Sequence, residues 1–302
     1  MSRHTNKIDK SKKFLHKKFF LIFERTYDRI NTLIDKSHIR AERKLMIEAY
    51  TLFSSSSGNC VYIRDGRDEI LIDAGKSASS IEKALTSLGT SLRSISAIFI
   101  THEHSDHTCG LEIISKKYQI PIHITAPSYS KVAYNGSFTS RFAQKHEIHY
   151  ECSVGSLRVR SFEIPHDSAQ NVGYIVTSGS DSLGLATDIG HLTDEIKCSL
   201  CGCKTAIVES NHDKFLLVAG QYPEFLKERI LADTGHIANE DSAELTLYLA
   251  QNGTERITLA HLSKENNAPE IAYCAHRDNL DRHGFADVEL NVASPDTIVR
   301  VK

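Results

Sequence analysis

The stretch Phe99-Ile-Thr-His-Glu-His-Ser-Asp-His107 decides the fold. It opens as the end of an apolar strand, Ala97–Ile100, and runs straight into His102, His104, Asp106 and His107. Residues two apart on extended backbone project the same way, so His102 and His104 face one direction. A helical pattern from Thr108 to Tyr118 follows, which puts two imidazoles on a loop and an Asp-His pair at the foot of a helix. Three imidazoles and a carboxylate suit Zn²⁺, Mn²⁺ or Fe; Ca²⁺ and Mg²⁺ prefer oxygen donors. Four such groups crowd a single ion, but they can begin two adjacent sites. Their place at a strand end, where α/β folds build sites, argues against a merely His-rich surface loop.

Outward from this loop, short strands end again and again in His, Asp or Glu, at Asp73, His102, His166, Asp188, Glu209 and His261. The strands expected are Ala49–Phe53, Cys60–Arg64, Glu69–Ile72, Ile120–Thr125, a pair over Gly155–Ile164, Val172–Thr177, Leu183–Thr187, Thr205–Val208 and Arg256–Ala260. Helices are expected over Ser77–Leu88, from Pro127 and over Asn239–Leu249. An α/β fold lines such strand ends along one edge, so these side chains can converge. A two-metal site needs about seven protein ligands and room for a bridging water. The expected sets are His102, His104 and His166 on one ion and Asp106, His107 and His261 on the other. Asp188 would serve both, since one carboxylate has two oxygens.

The chain has 302 residues and a formal net charge of −2, unevenly spread. Residues 1–45 carry 13 Lys/Arg against 5 Asp/Glu, which leaves the remainder near −10. Phe19, Ile22, Phe23, Ile30, Leu33 and Ile34 recur there at helical spacing among lysines. The expectation is a basic N-terminal extension over 1–45, helical or disordered, followed by a hydrolase domain over 46–302. Such an arm suits contact with nucleic acid or a membrane surface; a loosely attached helix is the plainer reading. No apolar run approaches the ~20 residues of a membrane span. Seven cysteines without an even framework or a secretory signal read as reduced thiols in a cytoplasmic protein. Cys198, Cys201 and Cys203 lack a second pair at zinc-site spacing and read as packing residues, as does Cys109.

Thr101-His-Glu-His-Ser-Asp-His107, with His166, Asp188 and His261 at later strand ends, resembles the metallo-β-lactamase superfamily. Within it the chain is similar to the YycJ/WalJ family of bacterial hydrolases. The resemblance spans about residues 46–302 and rests also on Ser54–Asn59, Asp73-Ala-Gly75, His166-Asp167, Thr187–His191, Glu209–Asp213, Asp233–Asp241 and Leu259–Ser263. It implies an α/β fold of the αββα sandwich type with two divalent metal ions, Zn²⁺ or Mn²⁺, at the sheet edge. It also implies phosphodiester hydrolysis, as a 5′-to-3′ exonuclease on DNA. Only about 26 residues separate Glu209 from His236, too few for a β-CASP insertion.

An expelled sugar alkoxide needs a proton, so a nuclease benefits from a general acid. Glu209 and His236 resemble the acid-orienting pair of β-CASP and RNase Z nucleases, and with the ligand Asp106 they are the candidate catalytic residues. His191 and His212 are read as structural. A basic surface for DNA would draw on Lys116, Lys117, Lys131, Arg141 and Lys264. Two other readings compete. A lactonase- or thioesterase-like acyl hydrolase predicts a closed apolar pocket and no need for His236. A metal-binding regulatory protein predicts ligands without turnover.

Overall fold

Among the described residues, short strands, several of them continuous buried runs, build two mixed sheets of seven strands each. The computed structural model describes residues 46–302 apart from 67 and 135–137. The expected basic extension over 1–45 therefore lies outside the described residues. The first sheet comprises β1 (Glu48–Phe53), β2 (Cys60–Asp65), β3 (Asp68–Ile72), β4 (Ala97–Phe99), β5 (Ile122–Thr125) and β6 (Ala143–His146). The second comprises β7 (Glu151–Val154), β8 (Leu157–Ile164), β9 (Asn171–Ser178), β10 (Asp181–Ala186), β11 (Thr205–Glu209), β12 (Arg256–Ala260) and β13 (Glu289–Val292). A last strand, β14 (Val299–Arg300), returns to pair with β1 at the edge of the first sheet. The second sheet is ordered β13-β12-β11-β10-β9-β8-β7.

Side chains alternate faces along a strand, and this sets the layers. On β3, Ile70 and Ile72 enter a core between the sheets with Ile63, Phe99, Val159, Tyr174, Val176 and Ile207. Leu71 faces the other way and joins Ile81, Leu85, Leu111 and Ile114 from the helices outside the first sheet. Ala206 and Val208 likewise meet Ile196, Leu245, Leu249 and Leu280 outside the second. Helices on both outer faces make the expected αββα sandwich. Removing each of the larger aliphatic side chains among these from water stabilises the fold by about 1.5–3 kcal/mol.

Strand direction then positions the site. β3 and β4 are parallel, and so are β10, β11 and β12; β8 shares their direction through the antiparallel β9. Their C-terminal ends carry Asp73, His102, Asp188, Glu209, His261 and His166. The helix after the His-rich loop is split, unlike the continuous one expected. A turn over Ser105–Thr108 precedes the helix Leu111–Tyr118. The break falls at Gly110, whose N–H donates to Ala74 O at 2.8 Å and where a Cβ would lie 2.4 Å from Lys76 O. Two helices, Lys214–Ala219 and Glu224–Leu231, fill the interval between Glu209 and His236. Among the described residues, no helix is long and apolar enough to cross a membrane.

Candidate metal centre

All seven expected donors come together at this edge. The donor atoms of His102, His104 and His166 lie within 4.8 Å of one another, and so do those of Asp106, His107 and His261. Asp188 stands between the two sets. Its Oδ2 is 3.2 Å from His107 Nε2, while Oδ1 is 3.8 Å from His166 Nε2 and 3.3 Å from His261 Nδ1. Backbone strain marks the place: Asp73, Asp188 and His261 hold φ of 63°, 60° and 56°. Non-glycine residues there cost of order 1–3 kcal/mol each and persist where surrounding structure fixes them.

Main-chain hydrogen bonds fix the His-rich loop. Asn59 N–H donates to Asp106 O at 2.7 Å and Ala74 N–H to His107 O at 2.9 Å. A Cβ on Gly75 would lie 1.6 Å from Asp106 O, so the Asp73-Ala-Gly75 turn needs its glycine for close approach. The amide of Asn59 also reaches His107 Nε2 and Asp106 Oδ2, at 3.1 and 3.3 Å.

The imidazoles are oriented from behind, a set of contacts that sequence reading did not supply. His107 Nδ1–H donates to Asp73 Oδ2 at 2.8 Å. Thr101 Oγ1 donates to the same carboxylate and accepts from His102 Nδ1–H at 3.0 Å. His166 Nδ1–H donates to Gly235 O at 3.1 Å, and His261 Nδ1–H to Glu209 Oε1 at 2.8 Å. Each bond commits Nδ1 as the donor and leaves the Nε2 lone pair facing the cluster. The Nε2 atoms of His102, His166 and His261 and Asp188 Oδ2 are buried with no hydrogen-bond partner. Buried acceptors without donors are costly, and imidazole nitrogen with carboxylate oxygen is the donor set of divalent transition ions, so these residues fit such ions.

Electrostatics agree with a site built for cations. Burial opposes the charge on His107 and His261, yet Asp188 and the nearby carboxylates raise both pKa values well above the ordinary value. Burial pushes Asp188 up, but His261 and His107 outweigh it and hold the carboxylate well below its usual range. His102 goes the other way: burial, with His107 beside it, keeps it neutral.

Glu209 and His236 meet beside the cluster. Glu209 is fully buried, and its Oε1 accepts from His236 Nδ1–H and His261 Nδ1–H, both at 2.8 Å. Its Oε2 accepts from Ile189 N–H at 2.5 Å. Burial disfavours the His236 imidazolium, but Glu209 more than offsets this and raises its pKa. Two clefts flank the site, both lined mainly by polar side chains. One of about 800 Å³ includes His104, Glu103, Lys131 and Asp167. The other, of about 450 Å³, includes His236, His191, His212, Lys197 and Lys214.

Some expectations land elsewhere. Of the five basic residues named for DNA, Lys131 lines a cleft; Lys116 pairs with Glu112 at 2.6 Å, and Arg141 covers the Phe142 ring. Cys109, Cys198 and Cys201 are exposed, so only Cys203 of the four is a packing residue. Cys109 lines the larger cleft, Cys198 sits on the outward face of the helix Asp194–Leu200, and Cys201 caps that helix at its C-terminus. His191 donates from Nδ1 to Asp233 O at 2.8 Å, whereas His212 is buried with neither ring nitrogen partnered.

Comparison with known proteins places this geometry. Residues 68–262 match the family model described as the β-lactamase superfamily domain. The chain is 33% identical over 235 residues to a Bacillus anthracis protein named exodeoxyribonuclease YycJ, spanning 78% of this chain and 89% of that one. It is 34% identical over 254 residues to exodeoxyribonuclease WalJ of Streptococcus pneumoniae, spanning 82% and 94%. Among solved structures, the metallo-β-lactamase fold protein YhfI from Bacillus subtilis superposes with a TM-score of 0.63 at 12% identity, covering 84% of this chain and 99% of that one.

Proposed function

The chain belongs to the β-lactamase superfamily, alongside YycJ and WalJ, and from that premise we propose that it is a two-metal phosphodiesterase that shortens DNA from the 5′ end. At the coarser level it is a hydrolase of the metallo-β-lactamase fold, a fold that uses divalent metal. His102, His104 and His166 would hold one ion, Asp106, His107 and His261 the other, and Asp188 would touch both. Bound divalent ions supply Lewis acidity, bringing the pKa of water toward neutrality and polarising a phosphoryl oxygen.

The observation that carries the phosphodiesterase reading is the Glu209–His236 pair. Cleaving a sugar–phosphate bond expels a poor leaving group, and a protonated imidazole at its oxygen removes that difficulty. Glu209 holds the His236 ring by Nδ1 and favours its charged form, while His236 lines the smaller cleft next to the donor cluster. The polar lining of both clefts supports a charged, extended substrate over an acyl group in an apolar pocket. Zn²⁺ and Mn²⁺ are the candidate ions, and the basic segment 1–45 is a candidate for contact with nucleic acid or a membrane surface.

The test is digestion of 5′- and 3′-labelled single- and double-stranded DNA by metal-defined protein supplied with Mn²⁺ or Zn²⁺. We expect loss of label from the 5′ end first, abolished in Asp188→Ala and strongly reduced in His236→Ala. Intact DNA under every metal, with cleavage of a generic ester or lactone, would replace the nuclease with an acyl hydrolase. Metal binding with no turnover of either substrate would favour a regulatory protein.

A further inference from the structure

Asp167 follows His166 at the end of β8 and is held from two sides. Its N–H donates to Thr234 O at 2.9 Å, and its Oδ2 accepts from Arg229 Nε at 2.5 Å. Arg229 comes from the helix Glu224–Leu231, in the segment between Glu209 and His236. The carboxylate is thereby aimed. Its other oxygen, Oδ1, is buried without a hydrogen-bond partner, 3.2 Å from His166 Nε2 and 4.0 Å from His104 Nε2. His166 has committed its Nδ1–H to Gly235 O, so the Nε2 that faces Asp167 carries a lone pair. Two buried lone-pair donors at such a distance repel unless a cation lies between them. The separation is one that donors about 2.0–2.2 Å from a shared ion adopt.

We propose that Asp167 is an eighth metal ligand, adding a second carboxylate to the ion of His102, His104 and His166, with Arg229 as the residue that positions it. The proposal rests on the two-metal reading above and extends it. An added oxygen donor raises both the coordination number and the hardness of that site. Such a site favours Mn²⁺ over Zn²⁺, which is content with four ligands rich in nitrogen. It also ties the helix Glu224–Leu231 to metal occupancy through a single ion pair.

The experiment titrates metal-free protein with Mn²⁺, followed by the paramagnetic resonance of the free ion, and with Zn²⁺ against a chromophoric chelator. Wild type, the isosteric Asp167→Asn and Arg229→Gln are compared, each with its thermal melt. We expect two ions per wild-type chain. Asp167→Asn should weaken one Mn²⁺ site by about tenfold or more, the scale at which even supporting residues act, with a smaller loss for Zn²⁺. Arg229→Gln should fall between the two. If Asp167→Asn keeps both Mn²⁺ affinities while its melt drops like that of Arg229→Gln, Asp167 only staples a helix and the proposal is overturned. If wild type binds fewer than two ions, the two-metal reading fails first, and the assignment of Asp167 falls with it.

Discussion

Replacing His236 with Gln should separate proton donation from everything else at this site. The ring is held at 2.8 Å from a fully buried carboxylate, and among the described residues it makes no other hydrogen bond. Gln cannot donate a proton to a departing oxygen, so the variant loses general-acid assistance, worth about 10²–10⁴ in rate. That is about 3–5 kcal/mol of transition-state stabilisation. The loss should appear only where the leaving group needs a proton. We therefore expect kcat on DNA to fall by about 10²-fold or more, while hydrolysis of a p-nitrophenyl phosphodiester, whose phenolate leaves unaided, changes far less. Metal content should stay at the wild-type level, since His261 keeps its own bond to Glu209. Equal falls on both substrates would refute the reasoning and make His236 a substrate-positioning residue. An unchanged rate on DNA would remove it from the chemistry altogether.

Glu209→Gln carries a double cost, because every partner of this carboxylate is a donor: two imidazole N–H groups and the Ile189 N–H. A Gln amide must turn its NH₂ toward one of them, so metal affinity measured by chelator competition should drop about 10–100-fold together with kcat on DNA. Asp73→Asn should cost a similar 10–100-fold in metal affinity by freeing His107 and the Thr101–His102 chain, with little effect on KM once metal is saturating. His276 is fully buried, with its pKa pushed down to about 4 by that burial. The unfolded chain binds this proton near 6.5, so the stabilisation is complete above that pH and is lost as pH falls toward 4, by about 2 kcal/mol at pH 5. Urea melts of wild type and His276→Gln at pH 7 and pH 5 should show a shallower pH dependence in the variant; parallel curves would contradict it.

The strands that build the site were legible because both faces are buried, so their apolar runs end abruptly at a polar residue. β12 spans Arg256–Ala260 as expected, and β3, β10 and β11 differ from expectation by a residue or two. Some elements away from the centre were not. β6 is Ala-Gln-Lys-His, a short strand at the sheet edge with little apolar content to announce it. The helix Pro269–Arg282 buries Ala272, His276 and Leu280, a four-residue spacing in which only Leu280 is strongly apolar. At the site, donors could be chosen because metals demand particular atoms at strand ends. The groups that aim them could not, since a backbone carbonyl at Gly235 or a guanidinium at Arg229 leaves no pattern in sequence.

One atom, Glu209 Oε1, is shared between the candidate acid and a candidate metal donor. By accepting from His261 it directs a lone pair into the cluster; by accepting from His236 it sustains a proton at the neighbouring cleft. A carboxylate on the surface could do either weakly, because water would compete for it. Buried, it has no such competitor, and its low dielectric surroundings strengthen both bonds together. On the proposed reading, acid function and metal binding would therefore not be separable at Glu209. They would be separable at His236, which touches only one side of that atom, and this makes it the informative position to change.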